Sequence, residues 1–258
     1  MTNHEYTENE IKEYNKCKED IVYFAENYVK IIHVDRGMIN FIPYDYQEEI
    51  IKTVHNNRFT ILCCSRQSGK TTALSANILH YIIFNSEKTV ALLANKGDTA
   101  REILSRIKLA YENLPNWLQQ GVLKFNEGSI ELENNSRVIA TSTSSSAIRG
   151  YAISFLYIDE AAFIEGWTEF YKSVYPTISS GMETKVVLTS TPNGLNFYYK
   201  LWKDAIDGKS SFIPIKVTWR DVPGRDEEWK RQTIVNTSEE AFIQEHDAEF
   251  IGSAWCIE

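Results

Sequence analysis

No apolar run in this chain reaches the ~18 residues that a membrane-spanning helix requires, which argues against such a helix. The amino end, Met1-Thr2-Asn3-His4-Glu5, lacks the apolar stretch of a secretory leader, and a cytosolic protein is predicted. Cysteine is scarce. Cys17, the neighbours Cys63 and Cys64, and Cys256 show no C-x-x-C spacing, which argues against a zinc site or a disulfide framework. Basic charge is not in excess either: a net charge of -8 speaks against a surface that grips nucleic acid wholesale and leaves a local basic patch open. There is no internal repeat and no long disordered linker. Apolar residues make up 43% of 258, enough for the core of one α/β domain with an accessory lobe.

The run Cys64-Ser65-Arg66-Gln67-Ser68-Gly69-Lys70-Thr71 joins a short β-rich segment, Phe59 to Cys63, to a helical pattern from Thr72 to Phe84. That is the setting of a phosphate-binding loop, in which backbone N–H groups and a helix N-terminus face a polyphosphate, the lysine bridges its outer phosphates and the Thr71 hydroxyl ligates Mg²⁺. The usual pattern places glycine where this chain has Cys64, so the loop starts without that freedom at positive φ. A second motif supplies the other half of a site. The buried-strand run Ile153 to Ile158 ends in Asp159-Glu160, where an aspartate can organise Mg²⁺ and a glutamate can orient the attacking water.

Strand and helix patterns alternate from about Tyr44 to Trp219, which predicts a mainly parallel sheet with helices on both faces. Lys88 to Ala94 reads as a buried strand and Asp98 to Leu114 as a helix closed by Pro115. Ser129 to Glu133 and Arg137 to Ala140 flank Asn134-Asn135 and predict a hairpin. Thr141 to Ser146 reads as a mobile polar loop. Further on, a helix near Thr168 to Tyr175 is expected to stop at Pro176, and Lys185 to Leu188 forms a strand leading into Thr189-Ser190-Thr191. Two last helices are expected from Leu195 to Asp207 and from Ser238, as cap, to Phe250.

Three more side chains are candidates. The Gln47 amide, next to Tyr46, can pair with N6 and N7 of adenine; the alternative is an exposed glutamine in a first helical turn. Arg66 lies inside the loop, where it either meets a γ-phosphate or is a solvated cation. Arg149, before Gly150, is either a surface arginine or a finger offered to a neighbouring subunit.

Taken together, these segments resemble the ATPase of the large terminase subunit, the DNA-packaging motor of tailed double-stranded DNA phages, of T-even-like type. The likeness lies in Asp20 to Glu26, Ser65-Arg66-Gln67 with Gly69-Lys70-Thr71-Thr72, Gly128 to Leu132, Tyr157 to Ile164, Thr191 to Asn196 and Gln244-Glu245-His246. The resemblance implies a P-loop NTPase of the ASCE type with a mainly parallel sheet and a small helical lid subdomain. The core would run from about 43 to 216, and the lid would come from about 1–42 and 217–258. It also implies ATP and Mg²⁺ as cofactors. Tyr46 and Gln47 would be the adenine motif, with Ser65, Arg66, Gln67, Ser68, Gly69, Lys70, Thr71 and Thr72 around the nucleotide. Thr71 and Asp159 would serve the metal, and Glu160, Lys70, Arg66 and a neighbour's Arg149 catalysis. Thr189, Ser190 and Thr191 would couple hydrolysis to movement.

Implied partners are double-stranded DNA, a portal protein, a small terminase subunit and further copies in a pentameric ring, in the host cell cytoplasm, without a membrane. The loop variant lacking its first glycine matches the family's own; the family's three threonines read Thr189-Ser190-Thr191 here. The acids from Asp226 to Glu249 fall mostly in helical patterns, so the nuclease domain of a full-length large terminase is expected to be missing from this chain. Two other readings stand beside the motor: a helicase-like ATPase, and an adaptor that binds ATP without turning it over.

Overall fold

The computed structural model describes residues 6–143, 148, 150–179 and 181–252. From the amino end come α1 (Glu8–Glu19), α2 (Ile21–Tyr28), a small hairpin of β1 (Lys30–His33) and β2 (Gly37–Asn40), and α3 (Asp45–Asn56). Then follow β3 (Phe59–Cys64), α4 (Lys70–Phe84), β4 (Thr89–Ala94), α5 (Gly97–Glu112), β5 (Val122–Asn126), β6 (Ser129–Leu132) and β7 (Arg137–Ser142). The remainder is β8 (Phe155–Ile158), α6 (Trp167–Ser179), β9 (Lys185–Ser190), α7 (Phe197–Ile206), β10 (Ile213–Val217), α8 (Glu227–Asn236) and α9 (Glu239–Glu245).

The main sheet has eight strands in the order β10-β3-β9-β8-β4-β7-β6-β5, parallel from β10 to β7 and antiparallel over the last two. It bears out the expected α/β class. β9 is inserted between the loop-bearing strand β3 and the acidic strand β8, the arrangement of the ASCE type. Strand alternation divides the core in two. Leu62, Val90, Leu92, Tyr157 and Val187 face the layer of α1 to α5, whereas Ile61, Ala91, Leu93, Ile158 and Leu188 face α6 and α7.

Several boundaries differ from those read in sequence. α6 runs through Pro176 to Ser179, because Ile178 is buried in the second core and the Arg58 guanidinium donates to the carbonyls of Ile178, Gly181 and Thr184. α9 stops at Glu245, where the N–H groups of His246 and Asp247 both turn back to the Phe242 carbonyl, and the Asp247 carboxylate accepts from Trp219 and Arg220. Thr141 and Ser142 belong to β7 rather than to a loop, while 144–146 lie outside the described residues. β10 carries Pro214, which an edge strand tolerates since one side of it has no ladder to feed.

The two end segments differ in how they are held. α1 and α2 bury Cys17 and Phe24 in the first core, with Phe24 edge-on to His80 and Phe84 of α4. Residues 217–252 gather Trp219, Trp229, Phe242 and His246 into an aromatic cluster, and α8 has no fully buried residue.

Candidate nucleotide site

The phosphate loop begins without strain at Cys64. That residue is the last of β3 and pairs with Val217, so it is ordinary extended backbone and needs no glycine. The left-handed positions are Gln67 (φ 54°) and Gly69 (φ 76°). Glycine suits the second, because a side chain at that φ would be strained and its Cβ, 2.5 Å from Gln47 Nε2, would displace the Gln47 amide. The N–H groups of Ser65 and Arg66 donate to the carbonyls of Val217 and Glu245, at 2.6 and 2.7 Å. Among the described residues, those of Gln67, Ser68, Gly69, Lys70 and Thr71 donate to no protein acceptor. The Ser68 hydroxyl is buried beside them and has no partner.

The adenine candidates are engaged with this loop. Tyr46 OH donates to the Ser68 carbonyl at 2.5 Å, and Gln47 Nε2 donates to the Gly69 carbonyl at 3.1 Å, while Gln47 Oε1 accepts the Tyr44 N–H at 3.0 Å. Gln47 Nε2 keeps one further hydrogen to donate and Oε1 one further lone pair with which to accept. Burial pushes the Tyr46 phenol up, and the neighbouring Tyr44 adds to the shift. A cavity of about 780 Å³ opens here, lined by the β1–β2 hairpin, Tyr44, Tyr46, Gln47, Gln67, Ser68, Gly69 and Thr72.

The acidic tip is set by strand register. β8 and β9 pair Ile158 with Leu188, so the next residues, Asp159 and Thr189, come opposite each other. Thr189 Oγ1 donates to Asp159 Oδ1 at 2.6 Å and lies 3.3 Å from Tyr157 OH. Burial, and after it the Asp159 carboxylate, pushes the Tyr157 phenol well up, whereas hydrogen bonding to Thr189 and Thr71 draws it down. The Tyr157 hydroxyl is thus close to both Thr71 and Asp159. Ser190 Oγ accepts the Ala162 N–H at 3.1 Å, which ties β9 to the turn after the acids. Glu160 heads that turn in a left-handed conformation, φ 52°, a strained backbone at the carboxylate of interest.

Loop and tip meet. Burial raises the Cys64 thiol to about 12, with the Lys70 ammonium pulling it down and the Asp159 carboxylate pushing it up, so both charges act on one sulfur. A cleft of about 210 Å³ is lined by Arg66, Lys70, Asn95, Glu160, Phe163, Thr191 and Glu245. Arg66 Nη1 is paired with Glu245 Oε2 at 2.8 Å, and most of its side chain is exposed. Arg149 lies outside the described residues. Ser68's unpartnered hydroxyl, the open N–H groups and Lys70 form a donor set that fits a polyphosphate. Thr71 and Asp159, both close to the Tyr157 hydroxyl, offer a hydroxyl and a carboxylate whose chemistry fits Mg²⁺.

Sequence reasoning missed Arg225. Its Nη1 donates to Ser65 Oγ at 2.7 Å and its Nη2 to the carbonyls of Arg66 and Gln67 at 2.9 and 3.1 Å. It missed Tyr157 and Glu245 as well. Gln244-Glu245-His246 stood out as a family-like triplet, which was the one available signal for Glu245.

The comparisons with known proteins agree with this layout. The large terminase subunit of Thermus phage G20c is 24% identical over 247 residues, covering 83% of this chain and 50% of that protein. The chain thus spans about half the length of the curated relatives it matches. Among solved structures, the Thermus phage P74-26 large terminase ATPase domain superposes with a TM-score of 0.70 at 22% identity, over 82% of this chain and 95% of that one. The HK97 bacteriophage large terminase gives 0.75 at 16%, over 90% and 55%. These two likenesses establish the P-loop-type fold. The family model described as terminase large subunit, T4likevirus-type, N-terminal, matches residues 61–255, and this chain belongs to that family.

Proposed function

We propose that the chain is an ATP-hydrolysing motor domain that drives double-stranded viral DNA into a procapsid. The observation that carries this reading is the cleft lined by Arg66, Lys70 and Glu160, with Asp159 near enough that it and Lys70 both act on the Cys64 thiol. The N–H groups of residues 67–71 and the Lys70 ammonium would hold the phosphates, with the base and sugar over the larger cavity next to Tyr46 and Gln47. Thr71 and Asp159 are the residues that would hold Mg²⁺, which when bound neutralises charge on the phosphates. Glu160 would orient the attacking water, helped by a strained backbone that fixes its direction. Arg66 would exchange its Glu245 carboxylate for the γ-phosphate, and a neighbour's Arg149 would add charge in trans.

Thr189, Ser190 and Thr191 are the coupling segment in this proposal. Two of them already bond to the acid-bearing turn, so a shift at Asp159 reaches β9 directly. The lid is proposed from residues 1–42 and 217–258; the thinly buried α8 and α9 are the part best suited to move. Double-stranded DNA, a portal protein, a small terminase subunit and further copies in a pentameric ring are the proposed partners, at work in the host cell cytoplasm.

Steady-state phosphate release tests the reading. Turnover that requires Mg²⁺ and ATP, with translocation along duplex DNA and no strand separation, is the expected result. ATP binding without phosphate release would establish the adaptor instead, and strand separation the helicase.

A further inference from the structure

An anion-binding loop can aim its N–H groups inward only if its carbonyls are turned outward and satisfied there. Here the carbonyls of four consecutive residues, Arg66, Gln67, Ser68 and Gly69, each accept from a side chain outside the loop. Tyr46 and Gln47 take the last two. Arg225 takes the first two and Ser65 Oγ as well, the one charged member of the set. Its two carbonyl partners belong to the peptide planes on either side of Gln67. Holding both planes fixes φ and ψ of that residue, which is how a residue with a Cβ stays at φ 54°. A guanidinium suits the task because its planar fork spans several acceptors and keeps its charge at any accessible pH.

Arg225 is itself fixed. Its guanidinium carbon lies 4.7 Å from the centre of the Trp229 ring, and Trp229 N–H is capped by Asp226 at 2.8 Å in the first turn of α8. Trp229 packs in turn on Trp219 and Phe242. The fork thus reaches the loop from the aromatic cluster of the C-terminal segment.

We propose that Arg225 is a positioning residue for triphosphate binding, which clamps the peptide planes flanking Gln67 so that the loop amides converge on the phosphates. The inference rests on the nucleotide reading of the site. It makes ATP affinity depend on how the 217–252 segment is seated.

The test uses the chain as it stands, with ATP affinity by titration and KM and kcat by phosphate release. Losing two to three hydrogen bonds at about 1 kcal/mol each predicts that Arg225→Ala raises Kd and KM about 30- to 150-fold. The change in kcat is expected to stay within about 3-fold, since the Glu160 side is untouched. Guanidinium ion at low millimolar concentration restores the affinity of Arg225→Ala, whereas methylammonium does not. Arg225→Lys, with no fork, recovers only part. A role confined to anchoring α8 would lower the melting temperature and leave Kd and its guanidinium response unmoved, and that result overturns the proposal. If Arg225→Ala fails to fold, wild-type affinity in Arg225→Lys overturns it equally. A wild-type chain that binds no ATP removes the nucleotide reading itself, whereas an ATP-binding wild type with indifferent Arg225 variants removes this inference alone.

Discussion

The phosphate loop takes its shape from side chains far off in the chain, Tyr46 and Gln47 at a separation of 22 residues and Arg225 at 158 to 160, whereas the acidic tip takes its shape from the next strand over. Asp159 is placed by the β8–β9 register, one residue beyond the Ile158–Leu188 pair, and Thr189 arrives opposite it by the same count. Parallel-strand register is a cooperative property of the sheet. A clamp of individual hydrogen bonds is not, and each can be removed with limited effect on the rest. The loop should therefore be the adjustable half of the site, and the tip the fixed half.

The largest expected effect separates binding from chemistry. Glu160→Gln keeps the loop intact, so ATP affinity should stay within about 3-fold while kcat falls about 10²- to 10⁴-fold, as measured by titration and phosphate release. Normal turnover would remove Glu160 from its proposed role. Thr189→Val is next: it strips the buried Asp159 carboxylate of a donor, and about 1 to 3 kcal/mol of stability should go with it. Calorimetry and kcat would both record this, with KM little changed. If KM rose while kcat held, the division between a binding loop and a chemical tip would fail.

Tyr46→Phe probes the loop by one hydrogen bond. A loss of about 1 to 1.5 kcal/mol should raise KM about 5- to 12-fold and alter kcat no more than about 2-fold. The smallest effect comes from Gln67→Gly, which relieves a left-handed residue but adds freedom to the unfolded chain. The net gain should not exceed about 1 kcal/mol, read as a melting temperature higher by about 2 °C. A fall in melting temperature would mean that the Gln67 side chain contributes more than its backbone costs.

Legibility in the sequence followed range. β3, α4, β4 and β9 lie where their periodicity put them, because apolar runs bounded by polar turns reflect burial on both faces of a parallel sheet. The Asn134-Asn135 turn was legible for a local reason: Asn135 sits at φ 62°, a conformation that asparagine accepts. β5 was not. All five of its residues are exposed, so it has no alternation to read. Pro176 misled because the rule against proline in helices is local, while the helix beyond it is held by burial of Ile178 and by Arg58. The missing loop glycine also proved harmless, since the left-handed turn falls at Gln67 and Gly69 rather than at Cys64.

By itself the sequence determined the two motifs, the strands that end in them and the sheet that would carry them, because each depends on residue types within a few positions of one another. Only the tertiary structure decided that Arg225 clamps the loop, that Glu245 holds Arg66 and that Thr189 bonds Asp159. Such contacts join residues 30 to 179 positions apart, and at those distances neither periodicity nor propensity leaves a trace that a reading of one chain can follow.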